Sequence, residues 1–469
     1  MSATAVTRPL PAARPAVVHV ARARTDAGVR LGALTALWTS LLLVTYWWAT
    51  GRGIQGLVSW ADGLTSVGRL TGLLASDLLL VQVLLMARVP VLEHAYGQER
   101  LARIHRLVGF TSFTAMIAHV GLITWGYAAG ELGATPGELW DLTVNYPGML
   151  LAAAGTACLG MVVVTSYKAA RRRLRYESWH LLHLYAYLGV GLALPHQLWT
   201  GQDFLASTGR TVFWWGLWIA AAGAVLVWRV TLPLVRSARW GLRVSAVRPE
   251  GDGVLSVWLE GRRGVRIDAE AGQFFTFRFL SGTGWTRGHP YSLSAAPDGR
   301  RLRITVKVAG DGTAGLRHLR RGTRVLVEGP YGRLSPRARS RRKVALIGAG
   351  VGVTPLRALA EGLDYRPGEA TLLYRFTGRP LFQREFEALA EQRGLQLLSL
   401  PGHRRSADSW LPSAAGTASD VTALTYWIPD IAQRDVYVCG PEEWAADVRR
   451  TCEDAGLPAE QFHVESFGW

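Results

Sequence analysis

Four histidines set in apolar sequence are the residues of this chain best placed to do chemistry. His105 and His119 lie in one apolar run and His183 and His196 in another, with His180 three positions before His183. Ionisable side chains inside a bilayer-length run are costly and are usually kept for function, and imidazole is the commonest metal ligand. Positions 105 and 119 are 14 apart, which on an α-helix means about 21 Å and leaves the two rings within about 40° of one face. His183 and His196 repeat that difference in depth. Two parallel helices would then offer opposed imidazoles at an inner and an outer level, the geometry of two bis-histidine haems. The 13-residue separation would set the second pair about 140° apart on an ideal helix, so Pro195 is expected to re-aim His196 by removing a backbone hydrogen bond. The plainer alternative is polar glue between helices; four histidines at matched depths favour ligation. For His180 a spare ligand, a propionate partner and a packing residue all remain open.

A second set of candidates lies downstream. His289-Pro290-Tyr291-Ser292-Leu293-Ser294 places an aromatic ring beside small hydroxyls on a strand, where the ring can flank an isoalloxazine and a hydroxyl can bond its polar edge. Lys307 ends the following strand pattern, RLRITVKV, and is a further cofactor-binding candidate; Gly310-Asp311-Gly312-Thr313 then precedes a helix-like segment, a place where backbone N–H groups can hold a pyrophosphate. At KVALIGAGVGVTPLRALAEGL an apolar strand enters a turn holding Gly348, Gly350 and Gly352, followed by Thr354 and Pro355 where a helix starts. Such turns bring backbone amides close to a dinucleotide phosphate. The next strand, TLLYRF, ends in Arg375 and Arg379 with no acidic residue ready for a ribose 2′-hydroxyl, which favours NADPH, with NADH the alternative. A last strand, DVYVCGP, carries Cys439, Gly440 and Pro441 to the edge where parallel sheets bind ligands.

The elements that must position these residues divide the chain in two. Its 469 residues suffice for two or three domains, and the mean hydropathy of +0.13 averages an apolar first half with a mixed α/β second half. Six windows approach the roughly 20 apolar residues a membrane helix needs: 31–49, 70–92, 104–127, 147–167, 178–199 and 211–235. Arg22, Arg24 and Arg30, then Arg100 and Arg103, then Lys168, Arg171, Arg172, Arg173 and Arg175 fall on one side of these runs, against Arg52, Arg69 and Arg210 on the other. The positive-inside rule puts both termini in the cytoplasm and makes the third and fifth helices parallel. The formal charge of +17 thus reads as membrane orientation; no basic helix or aromatic platform accompanies it, and a nucleic-acid partner is not expected. Three cysteines, Cys158, Cys439 and Cys452, have no disulfide or zinc spacing. Residues 1–30 read as a disordered cytoplasmic tail, and the first apolar run as a retained helix rather than a signal peptide. Residues 242–335 read as short strands forming a small β-barrel, and from 343 strands and helices alternate.

In this order the pieces resemble the ferric reductase and NADPH oxidase superfamily, whose soluble half is similar to ferredoxin-NADP reductases. The resemblance covers roughly residues 31–469 and rests on the membrane histidines, HPYSLS, GAGVGVTP and CGP. It implies a six-helix ferric reductase-like membrane bundle with two haems (31–236), an FAD-binding β-barrel domain (240–340) and an NAD(P)H-binding α/β domain (341–469). It implies that His105 pairs with His183 on an inner haem b and His119 with His196 on an outer one. CGP then lies on the nicotinamide side with Cys439 near the reaction, and a C-terminal aromatic, Phe467 or Trp469, shields the flavin. Eukaryotic oxidases of the superfamily carry a second histidine one turn beyond the outer ligand, whereas this chain has Ile123; Arg69 is placed to stand beside the outer haem. The expected activity is a multi-pass plasma-membrane oxidoreductase passing electrons from NAD(P)H through FAD and haem to O2, a ferric chelate or an extracytoplasmic redox protein. The rivals are a membrane-anchored flavin reductase without haem, and a transporter or channel regulated by a nucleotide-binding domain.

Overall fold

The computed structural model describes residues 17–171, 176–201, 203–251, 253–282, 287–308 and 311–466. The chain divides into two compact units, one of Ala27–Val230 and the other built on the chain from Thr231 onward.

The first unit is helical. Helix α1 (Val17–Trp48) begins well before position 31: after Pro15 no proline interrupts the sequence until Pro90, so nothing stops the helix from extending back through the basic segment. Helix α2 (Trp60–Met86) is capped by Ser59, whose side chain accepts from the Asp62 N–H. Then follow α3 (Gln98–Tyr127), α4 (Met149–Ser166), α5 (Tyr176–Trp199) and α6 (Thr208–Ala224). A π-helical turn, Val225–Thr231, joins α6 to α7 (Leu232–Trp240); Pro233 has no N–H to give the preceding turn, a usual cause of such widening.

Among the described residues five segments are long and apolar enough to cross a membrane: Arg24–Gly53, Trp60–Met86, Gln98–Tyr127, Met149–Ser166 and Thr208–Trp240. The sixth expected span is the 24-residue α5, long enough to cross but made less apolar by His180, His183 and His196. Helices α2 and α3 pack along one seam and α4 and α5 along another. Small residues make both seams close: a Cβ on Gly126 would stand 2.3 Å from Thr65 Oγ1, and one on Gly155 2.7 Å from the Gly189 carbonyl.

In the second unit, strands β1 (Arg243–Gly251), β2 (Val254–Glu260) and β5 (Arg301–Lys307) form one antiparallel sheet, and β4 (His289–Ser292), β3 (Phe274–Phe279) and β6 (Val325–Tyr331) another. Their inner faces share a core that includes Val257, Leu259, Phe275, Phe277, Leu293 and Ile304. The expected closed barrel is not formed by these ladders. The two sheets meet at the single bridges Arg243↔Arg324 and Leu293↔Ile304, and Pro290 in β4 and Pro330 in β6 lack the N–H that a continued ladder needs.

The last third is a parallel sheet in the order β11-β10-β7-β8-β9, built from β7 (Val344–Ala349), β8 (Ala370–Phe376), β9 (Gln396–Pro401), β10 (Asp435–Gly440) and β11 (Phe462–Ser466). Strands β7 and β10 are buried along their whole length, as expected of a sheet covered on both faces. Helices α8 (Val353–Gly362), α9 (Gln383–Arg393) and α10 (Glu442–Asp454) complete it. The strand order reverses between β7 and β10, so the crevice for a ligand falls at their C-terminal ends.

Candidate functional sites

The membrane histidines form two pairs. The rings of His105 on α3 and His183 on α5 lie 6.1 Å apart, centroid to centroid, and His119 is the charged-group neighbour of His196. Helix α5 continues through Pro195 as one helix, so the proline does not break it ahead of His196. His180 neighbours His183.

Three of the four Nδ1 atoms lie against oxygens, and that of His196 is buried without a hydrogen-bond partner. His105 Nδ1 lies 3.2 Å from the Gln82 carbonyl, His119 Nδ1 2.8 Å from the Gly68 carbonyl, and His183 Nδ1 3.3 Å from Ser166 Oγ. A carbonyl only accepts, so at His105 and His119 the proton sits on Nδ1 and Nε2 is left bare. A metal-bound imidazole is normally held in this tautomer by such a partner. Two ligand nitrogens each about 2 Å from a shared metal put opposed ring centres roughly 6 Å apart, matching the inner pair. The residues present therefore fit a bis-histidine group.

Near the outer pair, Arg69 donates to Asp203 Oδ2 at 2.9 Å, and Arg210 holds Oδ1 of the same carboxylate at 2.7 Å. Ile123, standing where a histidine was sought, packs on Gly68, where an added Cβ would meet it at 2.9 Å. Sequence reading missed Gly68, Gly72, Gln82 and Ser166; glycine beside an intramembrane histidine was the available signal.

In the second unit the register of the parallel sheet aligns the motifs. Gly348 pairs with Cys439 on one side and Tyr374 on the other, Ala349 pairs with Arg375, and Gly440 pairs with Ser466. The glycine turn, the CGP segment and the strand preceding the C-terminal aromatics thus share one sheet edge; Phe467 and Trp469 lie outside the described residues. Gly350 has φ +55° with open space where a Cβ would stand, whereas a Cβ on Gly352 would come 2.4 Å from the Cys439 carbonyl. One glycine lets the turn curl and the other lets it seat against β10. Strand β5 also reaches this turn.

On β4, Tyr291 stacks on His289 with centroids 6.0 Å apart and an interplanar angle of 15°. Its hydroxyl is buried with no hydrogen-bond partner, and burial pushes its pKa well up. A buried donor left unsatisfied is costly, and the isoalloxazine edge expected here is a group that would satisfy it. Pro290 is half-buried and Ser292 buried.

Several expected contacts point elsewhere. Leu293 packs in the β-sheet core, on the same side as Tyr291, at its bridge to Ile304. Ser294 is fully buried, receiving Arg303 Nε at 3.1 Å and Thr305 Oγ1 at 2.7 Å on its hydroxyl. The Thr354 hydroxyl donates back to the Val351 carbonyl at 2.9 Å, a helix-start bond that occupies it. The Cys439 side chain is buried in the core with Leu356, Tyr374 and Tyr437 rather than opening on the edge. Pro355 is likewise buried, and Pro441 is exposed at the start of α10. Lys307 is exposed at the end of β5, and Gly312 and Thr313 lie in a short helical turn, Asp311–Ala314; Gly310 lies outside the described residues.

Arg375 is half-buried and its Nη1 donates to the Gly402 carbonyl at 3.3 Å, with Nε buried and unpartnered. Burial, then the charge of Arg404, lowers its pKa. Arg404, just past β9, was missed because only the folded sheet brings the ends of β8 and β9 together. Arg379 is exposed beyond β8.

Residues 71–194 match the family model of the ferric reductase like transmembrane component, a stretch holding His105, His119 and His183 and ending two positions before His196. The chain is 33% identical over 233 residues to a flavohemoprotein of Pseudomonas aeruginosa, 48% of this chain and 58% of that one. It is 31% identical over 213 residues to the ferredoxin reductase component of the 3-ketosteroid-9-alpha-monooxygenase of Mycobacterium tuberculosis, 43% of this chain and 56% of that one. It therefore spans little more than half the length of these curated relatives. A solved FAD/NAD binding domain of the nitric oxide dioxygenase of Vibrio cholerae superposes with a TM-score of 0.40 at 27% identity, over 49% of this chain and 99% of that one. The chain thus joins a stretch similar to a ferric reductase membrane component to one similar to flavin and ferredoxin reductases. More narrowly, the membrane stretch is similar to the ferric reductase like transmembrane component and the C-terminal half to the reductase parts of these relatives.

Proposed function

We propose that this protein takes electrons from cytoplasmic NAD(P)H, NADPH preferred, through FAD and two bis-histidine b-type haems to an acceptor on the far side of the membrane, O2 or ferric iron. The observation that carries the reading is the inner imidazole pair, its rings at 6.1 Å, with Nδ1 of His105 and His119 tied to backbone carbonyls. When bound, flavin supplies conversion between hydride and single-electron chemistry, and haem supplies one-electron carriage.

The chain's own residues supply position. His105 with His183, and His119 with His196, hold the two haems; Gln82, Gly68 and Ser166 fix three of the rings. Tyr291 flanks the isoalloxazine and gives its hydroxyl to the cofactor's polar edge. Gly350 and Gly352 let backbone N–H groups approach a pyrophosphate at the start of α8. Arg375, with Arg379 nearby, supplies the positive charge a ribose 2′-phosphate needs, while Arg404 is held by Asp447. In this reading α5 is the sixth span, the termini are cytoplasmic, the membrane is the plasma membrane, and the flavin and nucleotide domains follow at about residues 240 and 341.

The test is the absorption spectrum of the detergent-purified protein, anaerobic, before and after NADPH. A Soret band with an α band that grows on NADPH addition is the expected result. Flavin bleaching with no haem signal after haem-replete expression would leave a membrane-anchored flavin reductase instead.

A further inference from the structure

Ser294, at the end of the flavin hexapeptide, belongs to a buried ionic lattice. Its carbonyl accepts Arg303 Nη2 at 2.7 Å and Arg357 Nη1 at 3.3 Å. Arg303, on β5, also donates to Glu385 Oε1 at 2.8 Å, and Arg357, on α8, reaches Glu385 Oε2 at 2.6 Å. Arg357 pairs with Glu361 one turn on, and Glu361 accepts the Ala296 N–H at 2.7 Å. Two guanidinium groups thus meet two carboxylates, so the cluster is charge-balanced without any bound anion. Arg303 is 3% exposed and Arg357 9%.

The lattice joins three elements that the proposed chemistry needs in register: the end of the flavin strand, β5, and the helix that opens at the glycine turn. The guanidinium of Arg303 lies between the rings of Trp258 and Phe382, at 5.1 and 4.8 Å. Phe382 itself has φ +58°, a conformation costly for an aromatic residue, and it opens α9, the helix that carries Glu385. A buried ion pair commonly gains no more stability than apolar residues of the same volume. What directed, multidentate hydrogen bonds add is a single geometry.

We propose that Arg303, Arg357 and Glu385 are positioning residues, a clamp that fixes His289–Ser294 against Val353–Gly362 and so sets the approach of nicotinamide to flavin. The inference rests on the flavin and nucleotide reading above. The three side chains bind one another and the Ser294 carbonyl. Misplacement of reacting groups by about 1 Å can cost on the order of 100-fold in rate, so the clamp acts on the limiting hydride-transfer rate rather than on binding.

The test uses the full chain with Glu385→Gln. Single-turnover flavin bleaching at saturating NADPH is expected to slow about tenfold to a hundredfold, with FAD content and NADPH affinity within about threefold of the parent. In the cofactor-free chain, amide exchange over Val353–Gly362 should quicken about tenfold while that of β1 and β2 stays unchanged. An unaltered limiting rate and exchange pattern would overturn the clamp, as would a rate that falls only in proportion to lost FAD. Should Glu385→Gln not fold, Arg303→Met with Glu385→Leu removes the paired charges together. The clamp predicts that this pair holds FAD and stays slow, and a parental rate would sink it. If the unaltered chain shows no flavin bleaching by NADPH, the functional reading has failed, and the exchange measurement still judges the clamp by itself.

Discussion

His119 and Gly72 stand in a contact that admits no side chain: a Cβ on Gly72 would lie 2.5 Å from His119 Nδ1. One turn earlier on α2, the Gly68 carbonyl takes the hydrogen bond from that nitrogen at 2.8 Å. Helix α2 therefore sets both the tautomer and the orientation of the outer histidine of α3.

Gly72→Ala is expected to displace the His119 ring while leaving His105 and His183 untouched. Loss of a group that orients a metal ligand typically costs about 10- to 100-fold in affinity. Haem quantitation should then fall from two per chain toward one, with the inner haem's spectrum retained. Two full equivalents of unperturbed haem in this variant would remove His119 from the ligand set.

The proposed preference for NADPH rests on Arg375 and Arg379. A hydrogen bond to a charged group is worth about 1.5–3 kcal/mol, so Arg375→Ala with Arg379→Ala should raise the KM for NADPH at least about tenfold. The KM for NADH should stay within about twofold. An unchanged NADPH to NADH ratio would refute the 2′-phosphate assignment.

Acid sensitivity has a sign that Glu385 sets. Burial pushes its pKa up, but the hydrogen bond from Arg303 and the charge of Arg357 outweigh this, leaving the folded value below the ordinary 4.5. Folded Glu385 therefore releases its proton more readily than the unfolded chain does. Its contribution is present above about pH 4.5 and is lost as pH falls through the lower folded value. Asp430, held down by Lys343 and Arg434 against its own burial, acts in the same direction. The melting temperature of the second unit should drop between about pH 5 and 3, and Glu385→Gln should flatten that slope; a parallel slope in the variant would assign the acid effect elsewhere.

Much of this arrangement was legible in the sequence where one periodicity decides it. The depth of His105 against His119 follows from helical rise, and the alignment of GAGVG with CGP follows from strands that end at one edge. The directions of Ser294, Thr354 and Cys439 were not legible. Each sits in a motif whose backbone faces the expected ligand, while its side chain is claimed by Arg303, by the Val351 carbonyl or by the core. Arg404 was hidden because β8 and β9 meet only in the folded sheet, and the open seam between the two β-sheets depends on which strand residues lack an N–H. The early start of α1 shows the converse: a basic, alanine-rich composition suggested disorder, but only proline would have enforced a stop.

Tyr291 gives a prediction whose sign differs between the cofactor-free and FAD-bound protein. Its hydroxyl is buried without a partner, so Tyr291→Phe removes an unsatisfied polar group and should leave the cofactor-free chain as stable as before, or more so. With FAD bound, the same change removes a hydrogen bond, worth about 0.5–1.5 kcal/mol, and FAD affinity should weaken about two- to tenfold. Calorimetric unfolding without FAD, paired with FAD titration by fluorescence, separates the two effects. Destabilisation of the cofactor-free chain together with unchanged FAD affinity would show that the hydroxyl serves the fold rather than the flavin.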